Sequence, residues 1–239
     1  MTIPFRKHIA QTGIELMILI LSVACESNNY PEFTDYTGLR DSITDIDGNV
    51  YKTVGIGTQI WMAQNLKTTR YNDGTAIPLV NSDSLWTYTN SPGYCWYSND
   101  STINKKVYGA LYNFYTVETG LLCPPGWHVP TKEEWERLGK FLGGIDIAGA
   151  KLKDYHAFYW NGPNQCIINT FSFSALPGGR RLTNGIFKEI GDHGHWWTST
   201  NDRTYLATYI SMNHESKGLS VTHAFLRQGF SVRCIKNKY

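Results

Sequence analysis

The most metal-like group of side chains in this sequence is the run Asp192-His193-Gly194-His195, which offers two imidazoles and a carboxylate. Zinc requires three or four such ligands within tetrahedral reach. The sequence shows no further His, Glu or Cys at a spacing that would complete the set, so we interpret the run as a polar turn. We therefore expect no metal and no cofactor.

A second acidic group, Asp45 and Asp47, precedes Gly48 and is similar to the start of a calcium loop. An EF-hand places its glycine at the sixth position and a bidentate acid at the twelfth. Gly48 would be the fourth residue here, which favours an ordinary turn.

Two function classes find little support. The sequence contains no Gly-x-Ser-x-Gly, no His-Glu-x-x-His and no phosphate-binding glycine loop, so an enzyme is not predicted. The 22 basic and 20 acidic residues leave a net charge of +2. Because nucleic-acid binding relies on a concentrated basic excess, a nucleic-acid partner is not expected either.

Aromatic and basic residues favour recognition of a glycan. Flat rings stack on sugar surfaces, although most rings in a globular domain belong to the core. Trp196 and Trp197 are adjacent, so on a strand one faces the core and the other faces outward or lies under a loop. Nearby arginines would meet an anionic glycan or form a solvated rim. The candidate ligand-binding residues, in the loops around residues 178–203 and the turn 213–217, are Arg180, Arg181, His195, Trp197, Asn201, Arg203 and His214.

The N-terminus predicts export. Arg6 and Lys7 precede an apolar run over residues 16–24, which is shorter than the roughly 20 residues of a membrane-spanning helix. The following segment, Leu21-Ser22-Val23-Ala24-Cys25, resembles the lipobox of bacterial lipoproteins, with Ser22 where a leucine is usual. We predict a signal peptide over 1–24, lipidation of Cys25, a polar tether over 25–42 and one domain over 43–239. The mature protein would be anchored at the outer membrane or cell surface.

The cysteine count is consistent with this location. Four cysteines remain beside Cys25, at positions 95, 123, 166 and 234. An even number in an exported chain favours disulfides, with three pairings open. The alternative is free buried thiols, which behave as small apolar side chains.

Periodicity predicts an α+β domain. A hairpin is expected from strands 50–56 and 59–62 around the Gly57-Thr58 turn. Helices are expected over 109–118 and from the Thr131-Lys132-Glu133-Glu134 capping box to Gly143. Alternating runs then predict an antiparallel sheet, with strands over 172–176, 186–190, 195–200, 205–212, 219–226 and 230–235. In the last strand Phe230, Val232 and Cys234 share one face.

Several colinear motifs carry a family resemblance. They are Asp45-Ile46-Asp47-Gly48-Asn49-Val50-Tyr51, Trp61-Met62-Ala63-Gln64-Asn65-Leu66, Tyr94-Cys95-Trp96-Tyr97, Tyr108-Gly109-Ala110-Leu111-Tyr112-Asn113, Cys123-Pro124-Pro125-Gly126-Trp127-His128-Val129-Pro130-Thr131, Phe173-Ser174-Ala175-Leu176-Pro177-Gly178-Gly179-Arg180 and Gly229-Phe230-Ser231-Val232-Arg233-Cys234. Together they resemble the Fibrobacter succinogenes major paralogous domain family from about residue 44 to residue 236. The resemblance implies a C-type-lectin-like fold, with two helices on a twisted, mainly antiparallel sheet and long loops. It implies no known activity.

The resemblance also implies a disulfide. In lectin-like domains a cysteine after the first helix commonly bonds to one on the last strand, and Cys123 and Cys234 occupy those places. Cys95–Cys166 then follows by elimination.

The resulting functional expectation is a surface-anchored, lectin-like lipoprotein that binds an extracellular glycan, or a protein of the envelope or a host surface, without catalysis. One alternative is a structural component of the cell envelope. Another is an oxidase similar to formylglycine-generating enzymes, which use a redox pair of thiols. The cysteines match structural positions better.

Overall fold

The computed structural model describes residues 41–156, 158–162, 167–201 and 203–237. The predicted signal peptide, Cys25 and Cys166 lie outside these residues. Within the described part of the chain, no helix has the length and apolar character needed to cross a membrane.

Twelve strands and five α-helices are described. The strands are β1 (Ser42–Thr44), β2 (Val50–Ile56), β3 (Gln59–Met62), β4 (Tyr94–Cys95), β5 (Leu111–Tyr112), β6 (Trp127–His128), β7 (Gly178–Arg181), β8 (Phe187–Ile190), β9 (His193–Trp197), β10 (Leu206–Asn213), β11 (Ser220–Phe225) and β12 (Ile235–Lys236). The helices are α1 (Asp83–Tyr88), α2 (Ser101–Val107), α3 (Phe114–Val117), α4 (Lys132–Phe141) and α5 (Ile145–Leu152).

The first sheet has the order β1-β2-β3-β12-β6. The predicted hairpin is confirmed, because Ile56 pairs with Gln59 and Thr53 pairs with Met62. Gly57 adopts φ 59° in the turn, a left-handed conformation that glycine reaches without strain. A Cβ there would come within 2.7 Å of the Phe141 ring, so the turn lies directly against α4.

The second sheet has the order β11-β10-β9-β7-β8. Its pairs are antiparallel except for a single parallel register between Gly179 and Gly194. The expected α+β class with a mainly antiparallel sheet is therefore confirmed, and four of the predicted strands lie in this sheet, within a few residues of their expected bounds.

The helices match only partly. The Thr131 capping box of α4 is confirmed, because Thr131 and Glu134 each bond the other's backbone N–H. The prediction of one helix over 109–118 is wrong, since only Phe114–Val117 is helical and Leu111 pairs with Cys95 in a small sheet. The helix begins only after Asn113, because the Asn113 side chain accepts from the N–H of Thr116 and so caps the helix there. Helices α1, α2 and α5 were not expected.

Two predicted strands are also wrong in extent. Residues 172–176 are irregular, with Ser172 and Ser174 at positive φ and only Ala175 bridging to Lys153. Residues 230–234 are extended but touch neighbouring strands through isolated bridges from Phe230 and Ser231, because the segment runs through the middle of the domain between sheets.

The closing segment joins the two main apolar clusters. Phe230, Val232 and Cys234 share one cluster, as the alternation predicted, while Ile235 belongs to the other. Cys234 is bonded to Cys123 across 111 positions of sequence, with a Cα–Cα distance of 6.1 Å. The expected disulfide is therefore present and fully buried.

The Cys95–Cys166 pairing finds no support. Cys95 carries a free, buried thiol, which packs with Trp86 and Leu111 in a small third cluster. Burial raises the pKa of this thiol to about 12, so it is neither a nucleophile nor a metal ligand at neutral pH.

Candidate functional site

Trp197 was expected to be a ligand-binding residue, and this prediction is wrong. The two adjacent tryptophans do face opposite sides of β9, but each enters a different apolar cluster and both are 0% exposed. The Trp197 indole N–H donates to the carbonyl of Tyr112 at 2.8 Å, and its ring contacts Phe230. Both faces of β9 are covered at these two residues, so Trp197 supports the core.

Arg181 was also expected to contact a ligand, but the structure buries it. Its guanidinium is fully buried and donates to the carbonyls of Val80, Asn81 and Gly185 and to the carboxylate of Asp83. It also lies over the Trp86 ring, 4.6 Å from the centroid. All these partners are intramolecular, so Arg181 holds the segment before α1 against β7.

Arg180 and His195 meet at Glu189, a residue that the sequence interpretation did not single out. Glu189 Oε1 accepts from Arg180 Nη2 at 2.6 Å, and Oε2 lies 2.7 Å from His195 Nε2. Glu189 adopts φ 70°, rare for a residue with a side chain. Gly179 lies opposite, where a Cβ would come within 2.5 Å of the Lys188 carbonyl. The unusual backbone at Glu189 and the close approach at Gly179 distort β7 and β8 at the same point, and this distortion directs the Glu189 carboxylate toward His195 on β9.

The electrostatics of this network favour an ionised carboxylate and a neutral imidazole. Burial by itself would raise the pKa of Glu189, but the hydrogen bond from His195 and the charge of Arg180 outweigh it and lower the pKa to about 2. Burial lowers the pKa of His195, against the opposing effect of Glu189. His195 is therefore neutral at pH 7 and donates its Nε2–H to Glu189.

These residues belong to one side of the second sheet. On β9, His193 and His195 lie on one face with parallel rings. On β10, Ser211 pairs with His195, and Tyr209 pairs with Trp197 on the same face. Thr222 on β11 stands opposite Tyr209. Directly opposed side chains share a face of an antiparallel pair. We call the set His193, His195, Tyr209, Ser211 and Thr222, with Arg180 and Glu189, the polar sheet face.

The other predicted contacts lie at the periphery. Asn201 and Arg203 are exposed in the turn after β9, and His214 is half-buried in the turn after β10, with its N–H bonded to the Asp192 carbonyl. They are not brought together with Arg180. Across the described ranges, no three His, Cys, Asp or Glu side chains are grouped so that they could hold a metal ion.

A group of exposed rings lies elsewhere, between α5 and β7. Tyr155 and Phe158 are 60% and 75% exposed. The Tyr155 and His156 rings stack at 4.3 Å, and Phe158 contacts Tyr159 at 4.4 Å. We call Tyr155, His156, Phe158 and Tyr159 the aromatic strip. Its density of rings in so short a segment was the sequence signal that our interpretation overlooked.

Buried residues hold the strip in place at both ends. Lys153 donates to the carbonyls of Asn213 and Ser216, and Trp160 donates to the carbonyl of Ala175 at 3.1 Å. Burial lowers the pKa of Lys153 to about 8. Within the strip, His156 Nδ1 lies 2.5 Å from Asp154 Oδ1. The exposed rings therefore project from an anchored segment.

All of the motifs after the first, which ends at Tyr51, lie within the match to a known family model. The model of the Fibrobacter succinogenes major domain matches residues 54–236. The chain belongs to this family. Searches of curated proteins and of solved structures found no match. The match thus covers the second sheet, the polar sheet face and the aromatic strip, and all of the first sheet except β1 and the start of β2.

Proposed function

We propose that this protein is a lipoprotein, anchored through Cys25 at the outer membrane or cell surface, whose family domain binds an extracellular glycan at the aromatic strip. The observation that carries the proposal is the exposure of Tyr155 and Phe158 on a segment whose ends are fixed by Lys153 and Trp160. The lipobox-like sequence before Cys25 supports the surface location.

Glycan binding suits the chemistry of the strip. An exposed aromatic ring supplies a flat apolar face, which covers the C–H face of a sugar ring, while neighbouring polar atoms bond its hydroxyl groups. The partly exposed side chain of His156 supplies such atoms beside Tyr155. Because the strip is anchored, little conformational entropy is lost when a sugar binds.

The charges favour an uncharged glycan over an anionic one. The anionic alternative relied on Arg180 and Arg181, but Glu189 and Asp83 already neutralise these two guanidinium groups. These two side chains therefore offer no unpaired positive charge to an acidic sugar.

We also propose that the fold is C-type-lectin-like. Supporting this are the disulfide between the segment after α3 and the closing segment, and two helices, α4 and α5, beside a twisted antiparallel sheet. The proposal connects the domain to a fold used widely for recognition, which is an argument by analogy.

A glycan array tests the function. Full-length protein in detergent is applied, and hits are quantified by affinity electrophoresis in the corresponding polysaccharide. Tyr155→Ala and Phe158→Ala should each weaken binding about tenfold, the effect of roughly 1–2 kcal/mol of lost stacking. Tyr88→Ala is the matched control, because Tyr88 is 77% exposed and lies on α1 outside the strip.

Two outcomes contradict the proposal. Equal retardation of the Phe158→Ala and Tyr88→Ala variants would place binding elsewhere. A silent array, together with a stable envelope protein that co-purifies with wild type and with both variants, would favour the alternative of a structural envelope component.

A further inference from the structure

The polar sheet face contains three polar atoms that have no hydrogen-bond partner in the described part of the chain. They are Nδ1 of His193, Nδ1 of His195 and Nε of Arg180, and all three are buried. His195 is only 3% exposed as a residue. Buried polar atoms are nearly always paired, because an unpaired one forfeits its bonds to water. Three within one small network therefore require an explanation.

The protonation states define what these atoms lack. Neutral His195 donates its Nε2–H to Glu189, so its Nδ1 carries a lone pair and needs a donor. Arg180 uses Nη2 on Glu189, so its Nε–H needs an acceptor. The unmet requirement is thus for one group that donates to an imidazole and another that accepts from a guanidinium.

We propose that the polar sheet face is a second binding site, which takes the hydroxyl groups of one neutral sugar residue. A hydroxyl both donates and accepts, so neighbouring hydroxyls meet both requirements at once. A carboxylate has no proton to donate to Nδ1, and an ammonium has no lone pair to accept the Arg180 Nε–H, so neither meets both requirements. The proposal rests on the glycan function above and adds the ligand class at a separate place.

The surroundings fit a small polyhydroxylated ligand. Ser211 and Thr222 add two hydroxyls on the same face and keep part of their surface exposed. His193 is the first residue of β9 and is half-buried, with its ring parallel to that of His195 and the centroids 5.6 Å apart. The strained φ of Glu189 is typical of functional positions.

The test uses the imidazole nitrogens of the full-length protein as reporters. Methyl glucoside, methyl galactoside and N-acetylglucosamine are titrated into ¹⁵N-labelled wild type, with acetate and ammonium as charged comparisons, while the histidine ring ¹⁵N shifts are followed. A neutral sugar should move the Nδ1 resonance of His195 and spare that of His128, whereas acetate and ammonium should not move it. His195→Phe, which keeps a ring on Phe230, should weaken this binding about tenfold.

The experiment distinguishes a failure of the second site from a failure of the proposed glycan binding at the aromatic strip. If neutral sugars shift strip resonances and leave those of His193 and His195 unchanged at saturation, the second site is refuted while the proposed function stands. If they shift His195 in the Phe158→Ala variant as they do in wild type, the second site is supported independently of the strip. An equal response of His195 to acetate or ammonium and to the neutral sugars would refute the proposed ligand class.

Discussion

Reducing the Cys123–Cys234 disulfide should remove a large share of the domain's stability. The bond closes a loop across 111 positions of sequence. In the chain-entropy model, opening a loop of this length costs about 5 kcal/mol at 25 °C through the freedom gained by the unfolded chain. Whole domains have net stabilities of about 5–15 kcal/mol, so the reduced protein should be marginal.

The assay compares oxidised and reduced wild type, so no side chain is removed from the core. Guanidinium unfolding, which gives the free energy of unfolding, and thermal unfolding are both followed by tryptophan fluorescence, with and without an excess of reductant. The thermal midpoint should fall by about 10–20 °C, at 2–4 °C for each kcal/mol in a domain of this size. The Cys123→Ala/Cys234→Ala double variant is the control, because reductant should leave its transition unchanged.

Two results would refute this reasoning. A loss of less than about 1 kcal/mol on reduction would mean that the reduced unfolded chain is already compact. An equal response to reductant in the double variant would assign the effect to another sulfur. Cys95 is not expected to respond, because its thiol is already free.

Three further predictions concern charge and burial. Glu189→Gln should make the free energy of unfolding depend less on pH between pH 5 and 2. The lowered pKa of Glu189 stabilises the fold above the ordinary value of 4.5, and up to about 3 kcal/mol of this stability is lost as the pH falls toward 2. Urea unfolding between pH 5 and 2 measures the difference. His128→Gln should change stability near neutral pH, because the hydrogen bond to Glu134 raises the pKa of His128. This interaction contributes up to about 1 kcal/mol of stability below pH 6.5, and the contribution is lost as the pH rises through the raised pKa. The free energies of unfolding at pH 6 and pH 8 should therefore differ less in the variant than in wild type. Trp197→Ala should cost about 3–5 kcal/mol through the cavity it leaves, and its melting curve should move at pH 7 whether or not a glycan is present.

The local elements were the most predictable part of the fold. The β2–β3 hairpin and the start of α4 depend on neighbouring residues, since a glycine turn and a capping box specify them within a few positions. The helix over 109–118 failed for the opposite reason. Leu111 has the apolar spacing of a helix, but it pairs with Cys95, a partner sixteen residues away, and this tertiary pairing overrides local preference.

The candidate site was predicted in part. The sequence drew attention to Arg180 and His195, and the structure joins them, but through Glu189. Glu189 could not be recognised, because its role depends on a positive φ and on Gly179 across the strand pair. Trp197 was misjudged because alternation predicts opposite faces of a strand and does not tell how many of those faces are covered.

The sequence alone therefore determined the family and the α+β class, which depend on motifs and apolar spacings that are readable along one chain. Its resemblance to that family implied the pairing of Cys123 with Cys234. Export stays a prediction from the N-terminal segment. Only the tertiary structure decided which rings are exposed. Burial depends on what packs from distant segments, so Trp197 lies in the core while Tyr155 and Phe158 meet solvent. The same long-range packing converts Arg181 from a candidate ligand contact into a buried support.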